Sequence, residues 1–275
     1  MSYSLLVASR TKVLLIGIDG LILNRALASG RATTLAALRS DCYFSEMLID
    51  MPTISGPSWT TLLTGVSQGV HKVIDNEYRD HNLAMVPDLL TQAAAYLPEL
   101  STYAAAGWPP LIDPAGVGPV IATRLEDQRL GKHKIFVRDG ETYGYELIDA
   151  EVANDAKISI QETGPDVSFI YFCGADEAGH LHGTIEGPYV DAIERIDGYV
   201  SQLHQVILTR QIQLQEKWLI IITTDHGHLD EGGHGGDSAQ ERASFVIAHG
   251  IGTAHPSWPT DIKPEELVNE ILGAL

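Results

Sequence analysis

The sequence predicts an α/β fold with a mainly parallel central sheet and helices on both of its faces. Short apolar stretches, typical of strands buried on both faces, alternate along the 275 residues with segments of helical spacing. Three of these stretches end at or just before an acidic residue, namely Asp19, Asp176 and Asp225. Functional groups gather at the carboxyl ends of parallel strands, so this repeated placement supports the same fold.

Six apolar stretches are predicted to be strands because they are short, continuous and bounded by turn residues. They cover residues 13–18, 42–49, 101–106, 166–173, 218–223 and 243–248. Helices are predicted where apolar residues recur at helical spacing, or where Pro57 follows a turn as a helix-start signal. They cover residues 31–39, 57–65, 86–97, 185–208 and 264–275. The alternation implies a three-layer α/β/α arrangement.

Residues 108–150 differ in composition from the rest of the chain. They contain several prolines and glycines, followed by KIFVRDGETYGYEL, in which Asp139-Gly140 would form the turn of a hairpin. We predict a small cap, inserted in a single domain that spans residues 1–275. An ordinary long surface connection is the alternative.

The formal net charge is −18, from 18 basic and 36 acidic residues. Such a surface repels phosphate backbones and argues against a nucleic-acid polymer as partner, although bound cations would still admit a small phosphorylated substrate. Cys42 and Cys173 lie in apolar stretches and are predicted to be buried free thiols. The N-terminus lacks a signal-peptide layout, and no apolar run reaches the roughly 18 residues of a membrane helix. We therefore expect a cytoplasmic protein without a membrane partner, and the oligomeric state stays open.

Aspartate and histidine recur together after the apolar stretches. DEAGH at residues 176–180 pairs them four residues apart, DHG at residues 225–227 pairs them side by side, and GGHGG at residues 232–236 adds one more histidine. Carboxylate and imidazole groups together suit zinc, with manganese and iron as alternatives. With the first aspartate they give six candidate ligands, enough for two divalent metal ions: Asp19, Asp176, His180, Asp225, His226 and His234.

Other histidines have less informative surroundings. His182 and His228 flank the candidate ligands, where they either orient ligands or substrate or have no role. The remaining histidines are predicted to be structural: His71, His81, His133, His204, His249 and His255.

A hydroxyl-rich segment at residues 51–65 is predicted to join a strand to a helix. A hydroxyl there would lie near amide donors and the positive end of a helix, which favour a phosphoryl group. Near a divalent ion its pKa falls, so it can act as a nucleophile. From chemistry alone Thr53, Ser55 and Ser58 are all candidates, and simple capping of the helix is the alternative role.

In their order along the chain, Asp19, TISGPSWTTLLTG, DEAGH, TTDHG and GGHGG resemble the alkaline phosphatase superfamily. Within it they look most like the nucleotide pyrophosphatase/phosphodiesterase branch. The resemblance runs from about residue 12 to residue 245 and leaves out residues 108–150.

The resemblance implies that Ser55 is the nucleophile, in the place of the threonine usual in this branch. It implies two metal sites, one of Asp19, Asp225 and His226 beside the nucleophile and one of Asp176, His180 and His234. It also implies that Asn76 donates a hydrogen bond to a phosphoryl oxygen. The expected reaction is hydrolysis of phosphodiester or nucleotide pyrophosphate bonds through a phosphorylated or nucleotidylated serine.

The chain also departs from this pattern. Where the branch has Phe-Pro-Asn-His after its nucleophile, residues 56–59 read Gly-Pro-Ser-Trp, which predicts a different substrate pocket. Trp59, Trp108 and Tyr78 could stack on a base or sugar, but core packing is the role we expect for each. A sulfatase would have arginine at Trp59, which argues against that branch. A phosphomonoesterase, a phosphonate hydrolase and a non-catalytic metal-binding protein remain alternatives.

Overall fold

A computed structural model describes residues 10–185 and 187–275. Within these residues one sheet contains seven strands: β1 Thr11–Ile18, β2 Tyr43–Leu48, β3 Thr102–Ala106, β4 His133–Val137, β5 Val167–Phe172, β6 Lys217–Thr223 and β7 Ala243–Ile251. Their order across the sheet is β2-β7-β6-β1-β5-β3-β4. Strand β7 runs antiparallel to both of its neighbours, and the other pairs are parallel. The predicted α/β fold with a mainly parallel sheet is confirmed.

Helices cover both faces of this sheet. In chain order they are α1 Leu23–Ala28, α2 Thr33–Asp41, α3 Ser55–Thr64, α4 Gln68–His71, α5 Leu89–Tyr96, α6 Pro109–Ile112, α7 Leu125–Arg129, α8 Gly140–Tyr143, α9 Tyr145–Glu162, α10 Gly174–His182, α11 Gly187–Leu214 and α12 Leu267–Gly273. The side chains of β1 alternate between two apolar clusters, with Leu14 and Ile16 facing α2, α9 and α11 and Val13 and Leu15 facing α3, α5 and α12. These two clusters are the two cores of a three-layer domain.

Strand β1 lies at the centre of the sheet and is buried on both faces, which explains its continuous apolar sequence. Gly17 is the exception, and its missing side chain is a packing requirement. A Cβ atom at Gly17 would lie 2.4 Å from the ring of Trp59. The glycine therefore lets α3 approach the strand that leads to Asp19.

Residues 108–150 do not form the predicted cap. They supply helices α6 and α7, then β4, which pairs in parallel with β3 as an edge strand of the main sheet. The predicted hairpin is wrong because Asp139 accepts a hydrogen bond from the Thr142 amide and caps α8, so the chain turns into a helix. The crossover helix α9 then returns the chain to β5, as a parallel sheet requires.

The predicted strands all occur, and the helices differ mainly in their ends. Helix α5 begins at Leu89, later than predicted, because the Asp88 carboxylate accepts from the Leu90 and Thr91 amides and fixes its start. The sequence does not predict the other seven helices, which are α1, α4, α6, α7, α8, α9 and α10. Residues 1–9, where the sequence shows no signal-peptide layout, lie outside the described residues. Glu186, in the predicted helix 185–208, also lies outside them. Among the described residues, no helix has both the length and the apolar character needed to cross a membrane.

Candidate metal centre and nucleophile

The order of the central strands brings the acidic motifs together. Strand β1 lies between β6 and β5, and all three run in the same direction. Asp19 follows β1 directly, Asp225 follows β6, and Asp176 lies in the first turn of α10, which follows β5. Residues separated by up to 206 positions in sequence therefore meet at the carboxyl ends of the three central strands.

One group of potential ligands contains Asp19, Asp225 and His226, all fully buried. His226 Nε2 lies 3.2 Å from Asp225 Oδ2 and 3.5 Å from Asp19 Oδ1. Burial raises the pKa of Asp19 to about 8, and repulsion from Asp176 adds to this effect. Burial, with repulsion from Asp19, also raises the pKa of Asp225 well above its usual range. Two buried carboxylates this close need a cation or protons to balance their charge.

A second group contains Asp176, His180, His228 and His234. The Nε2 atoms of His180 and His234 are 2.9 Å apart, and each lies 3.5 Å from an Asp176 oxygen. Asp176 and His180 share one face of α10, as the spacing of four predicted. Burial opposes ionisation of Asp176, but the hydrogen bond from His228 and the neighbouring imidazoles hold its pKa below the usual value.

Backbone carbonyls fix the tautomers of two histidines. His234 Nδ1 donates to the Thr53 carbonyl at 2.7 Å, and His226 Nδ1 donates to the Gly227 carbonyl at 3.1 Å. In each ring Nε2 is then the unprotonated atom that faces the carboxylates, which is the arrangement of a metal-binding imidazole. Burial lowers the pKa of both histidines, which keeps the rings neutral.

These donor sets fit divalent cations. Asp225 Oδ2 is buried and has no hydrogen-bond partner among the described residues, although an isolated buried carboxylate oxygen is costly. The rings of His226 and His234 are 3.8 Å apart, so the two groups adjoin each other. Three carboxylates and four imidazoles in adjacent groups match the ligands that zinc takes in hydrolases.

The three candidate hydroxyls have different surroundings. Ser55 begins α3, and its Oγ lies 3.3 Å from Asp19 Oδ1 and 3.2 Å from His226 Nε2. Thr53 instead bonds the backbone of the loop that carries His234. Ser58 Oγ is buried without a partner in the described part of the chain. Ser55 is the one of the three hydroxyls that touches the candidate ligands.

Asn76 lies beside the start of α3. Its Oδ1 accepts a hydrogen bond from the Gly56 amide at 2.7 Å, which orients the side-chain amide and leaves Nδ2 as a donor. A Cβ atom on Gly56 would lie 2.7 Å from the Asp75 carbonyl, so only glycine allows this approach. The Gly56 amide is therefore occupied, and Pro57 has no N–H, so α3 offers fewer free amides than the sequence predicted.

Aromatic residues position Asp19 and do not face a ligand. Trp59 Nε1 donates to Asp19 Oδ2 at 2.8 Å, and the Tyr171 hydroxyl donates to the same oxygen at 2.6 Å. Trp59, Trp108 and Tyr78 are all buried, which confirms the expected core packing in place of base stacking.

The structure brings together all eight of the predicted site residues, with Asn76 held at the helix start beside Ser55. It also separates the two flanking histidines. His228 is buried and belongs to the second group, whereas His182 is exposed at the end of α10. Tyr171 was not predicted at all, because its apolar strand sequence gives no sign that the hydroxyl reaches a carboxylate 152 positions away.

A family model described as type I phosphodiesterase / nucleotide pyrophosphatase matches residues 13–237, most of the chain and every candidate site residue. The chain belongs to this family.

Curated relatives match a smaller part of this family member. The human GPI ethanolamine phosphate transferase 3 catalytic subunit is 33% identical over 100 residues, which cover 36% of this chain and 8% of the human protein. GPI ethanolamine phosphate transferase 2 from Eremothecium gossypii is 26% identical over 117 residues, which cover 42% of this chain and 13% of that protein. The chain therefore matches only a small part of these longer proteins.

Solved structures share the fold at low sequence identity. Murine ectonucleotide pyrophosphatase/phosphodiesterase 5, as an inactive variant with AMP, aligns with a TM-score of 0.67 and 13% identity over 96% of this chain and 95% of that one. A 2-O GAG sulfatase aligns at 0.69 and 13% identity, over 96% and 70%. Phosphonoacetate hydrolase from Sinorhizobium meliloti 1021 aligns at 0.58 and 15% identity, over 80% and 57%.

Proposed function

We propose that this family member is a two-metal hydrolase of phosphodiester or nucleotide pyrophosphate bonds, with Ser55 as its nucleophile. The observation that carries the proposal is the position of Ser55 Oγ, within 3.3 Å of both Asp19 and His226 at the start of α3. A hydroxyl held against two candidate metal ligands suits nucleophilic attack on phosphorus better than helix capping.

Ser55 would form a covalent intermediate. Its hydroxyl donates to Asp19 Oδ1, which leaves an oxygen lone pair for attack. Attack forms an Oγ–P bond and breaks the bond from phosphorus to the leaving oxygen, and the proton that Ser55 loses ends on the leaving group. Water then adds to phosphorus, breaks the Oγ–P bond and restores the serine. The product carries one oxygen from water, and Ser55 is regenerated.

Asn76 would stabilise the charge that develops on the phosphoryl group. The Gly56 amide holds Oδ1, so Nδ2 is the atom available to donate to a non-bridging oxygen. The Tyr171 and Trp59 hydrogen bonds keep Asp19 oriented throughout. When bound by the two groups of ligands, divalent cations, zinc in this proposal, would supply Lewis-acid stabilisation and lower the pKa of the attacking hydroxyl.

A nucleotide or another small phosphorylated molecule is the proposed substrate. Murine ectonucleotide pyrophosphatase/phosphodiesterase 5, which shares the fold, has been solved with AMP. The net charge of −18 supports a small substrate drawn to bound cations over a nucleic-acid polymer. A cytoplasmic location remains part of the proposal.

The test compares turnover of bis-p-nitrophenyl phosphate and p-nitrophenyl phosphate with zinc or manganese. We expect the diester to be preferred, and Ser55→Ala to reduce its turnover by at least about 10³-fold. Ser58→Ala is the matched control, because it removes a buried hydroxyl of the same helix that contacts none of the candidate ligands.

Other outcomes redirect the assignment. A monoester preference would make the protein a phosphomonoesterase, and turnover of phosphonates alone would make it a phosphonate hydrolase. Undiminished activity in Ser55→Ala would exclude Ser55 as the nucleophile. Inactivity on all three substrate classes with both metals loaded would favour a non-catalytic metal-binding protein.

Transfer to an alcohol is a second candidate, because the curated relatives are ethanolamine phosphate transferases. The same seryl intermediate can be resolved by an alcohol in place of water. Product analysis with an added amino alcohol separates the two: a hydrolase releases the free phosphorylated product, and a transferase forms a new diester.

A further inference from the structure

A further cluster of side chains of the kind that bind metals lies at the other end of the strands from the candidate centre. Asp19 follows the carboxyl end of β1. Strand β7 runs in the opposite direction, so His249, near its end, lies close to the amino-terminal ends of the parallel strands. Strand β2 begins at this same end of the sheet, directly after Cys42. The ligand atoms of Cys42, His249 and His255 all lie within 4.8 Å of one another.

His204 of α11 extends this cluster. Its ring centroid lies 5.1 Å from that of His249, and His249 lies 5.2 Å from His255. His204 Nε2 and His249 Nδ1 are both buried, and neither has a hydrogen-bond partner among the described residues. Two unpaired imidazole nitrogens beside a thiol are costly unless a ligand satisfies them.

We propose that Cys42, His249 and His255, with His204 as a fourth donor, bind a divalent cation of the zinc class at a site separate from the candidate catalytic centre. One thiolate and several imidazoles are a common ligand set of tetrahedral zinc. The cation would join the end of α2, strand β7, helix α11 and the loop that follows β7.

Three of the four donors need only a small adjustment for this purpose. Tetrahedral zinc with bonds of about 2.0–2.3 Å places its donors about 3.3–3.8 Å apart, and the ligand atoms of Cys42, His249 and His255 lie within 4.8 Å of one another. His204 lies outside this group, with its ring centroid 5.1 Å from that of His249, and would have to turn towards the cation. His255 is exposed and can move. Its Nδ1 accepts a long hydrogen bond of 3.2 Å from the Gly250 amide. If Nδ1 bound the cation, the metal bond would take the place of this hydrogen bond.

Burial changes the protonation of three of the candidate donors, His249, His204 and Cys42. Burial lowers the pKa of His249 to about 4, with repulsion from His204 and His255 adding to it, and burial lowers that of His204. The rings are thus neutral donors at physiological pH. Burial raises the pKa of the Cys42 thiol to about 11, and the Asp41 charge adds to this rise. A cation that binds there would displace the thiol proton, and Asp41 would help to balance its charge.

Cobalt titration tests this site independently of catalysis. The candidate catalytic ligands include no cysteine, so a thiolate-to-cobalt charge-transfer band in the near ultraviolet reports a cysteine-containing site alone. We expect the metal-stripped chain to develop this band, to saturate it by three equivalents of cobalt, the number of proposed cation sites, and to lose it when zinc is added.

Variants identify the donors. Cys42→Ser should abolish the band, and Cys173→Ser, which removes the other cysteine, should keep it. His255→Ala, an exposed substitution with little effect on folding, should weaken cobalt binding by at least about tenfold. Zinc content should fall by one ion per chain in Cys42→Ser, with diester turnover unchanged.

A wild-type chain without the band under saturating cobalt would overturn the proposal, as would a band that survives in Cys42→Ser. Neither result depends on whether the catalytic proposal is right, because that proposal is tested by turnover and this one by a spectrum.

Discussion

His228 Nε2 and Asp176 Oδ1 are 2.6 Å apart, and the contact joins the loop after β6 to helix α10. Two glycines make room for it. A Cβ atom at Gly20 would lie 2.7 Å from His228 Nε2, and one at Gly179 would lie 3.0 Å from the same ring. The glycines of the Asp-Gly and DEAGH motifs are therefore needed for the packing of His228 as well as for the turns.

Replacing His228 should weaken metal binding. In His228→Ala, Asp176 loses the hydrogen bond that holds its carboxylate in the second group. We expect affinity for the second cation to fall about 10- to 100-fold, measured by competition with a chromophoric chelator. His182→Ala is the matched control, because this exposed histidine lies outside the group. Equal affinities in both variants would show that His228 is merely a packing residue.

Replacing Asn76 should slow the reaction without releasing the metals. Asn76→Asp retains an oxygen that accepts from the Gly56 amide but removes the Nδ2 donor. We expect kcat to fall about 10²- to 10³-fold, with a smaller change in KM, in steady-state kinetics on the diester. Gly56→Ala should give a similar loss, since its Cβ would lie 2.9 Å from Asn76 Oδ1. Wild-type kcat in Asn76→Asp would remove Asn76 from the mechanism.

Removing one hydroxyl should loosen Asp19. Tyr171→Phe deletes the donor that lies 2.6 Å from Asp19 Oδ2 and keeps the ring. We expect about tenfold weaker binding of the cation held beside Ser55, seen in metal titrations. Tyr103→Phe is the matched control, because it removes a similar hydroxyl whose partner is Asp155, away from the site. A loss of affinity in both variants would indicate a general packing effect.

The central strands and the ligands could be predicted from sequence for one physical reason. A strand buried on both faces is apolar along most of its length, as in β1, β5 and β6, and charged groups that follow such strands stand out. Parallel pairing then places Asp19, Asp176 and Asp225 together at the carboxyl ends of these strands. The same apolar strands therefore predict both the fold and the positions of the candidate metal ligands.

What the sequence could not predict depends on exposure and on distant contacts. Strand β4 lies at the sheet edge and is only partly buried, so its charged residues and Asp139-Gly140 resemble a surface hairpin. His228 and His182 have similar local sequences, and only the strand order decides which one faces Asp176. The Cys42 cluster was missed for the same reason, because its residues come from four separate segments.

A last prediction concerns pH and the helix that begins at Ser55. His71 is fully buried; its Nδ1 accepts from the Val73 amide at 3.0 Å, and its Nε2 lies 3.0 Å from Thr61 Oγ1 of α3. Burial lowers the pKa of His71 to about 4, against 6.5 in an unfolded chain. Between these values the unfolded chain binds more protons, so the contribution of His71 is complete above pH 6.5 and is lost as the pH falls towards 4.

This contribution amounts to at most about 3 kcal/mol. We expect His71→Gln to be less stable than wild type at pH 7.5, with the difference in the free energy of unfolding shrinking steadily down to pH 4.5. Urea denaturation of both proteins at a series of pH values measures that difference, and the subtraction cancels the titration of groups common to both. A constant difference across the series would mean that His71 is not the neutral buried histidine that supports α3, because a group that does not change its protonation on unfolding contributes no pH dependence.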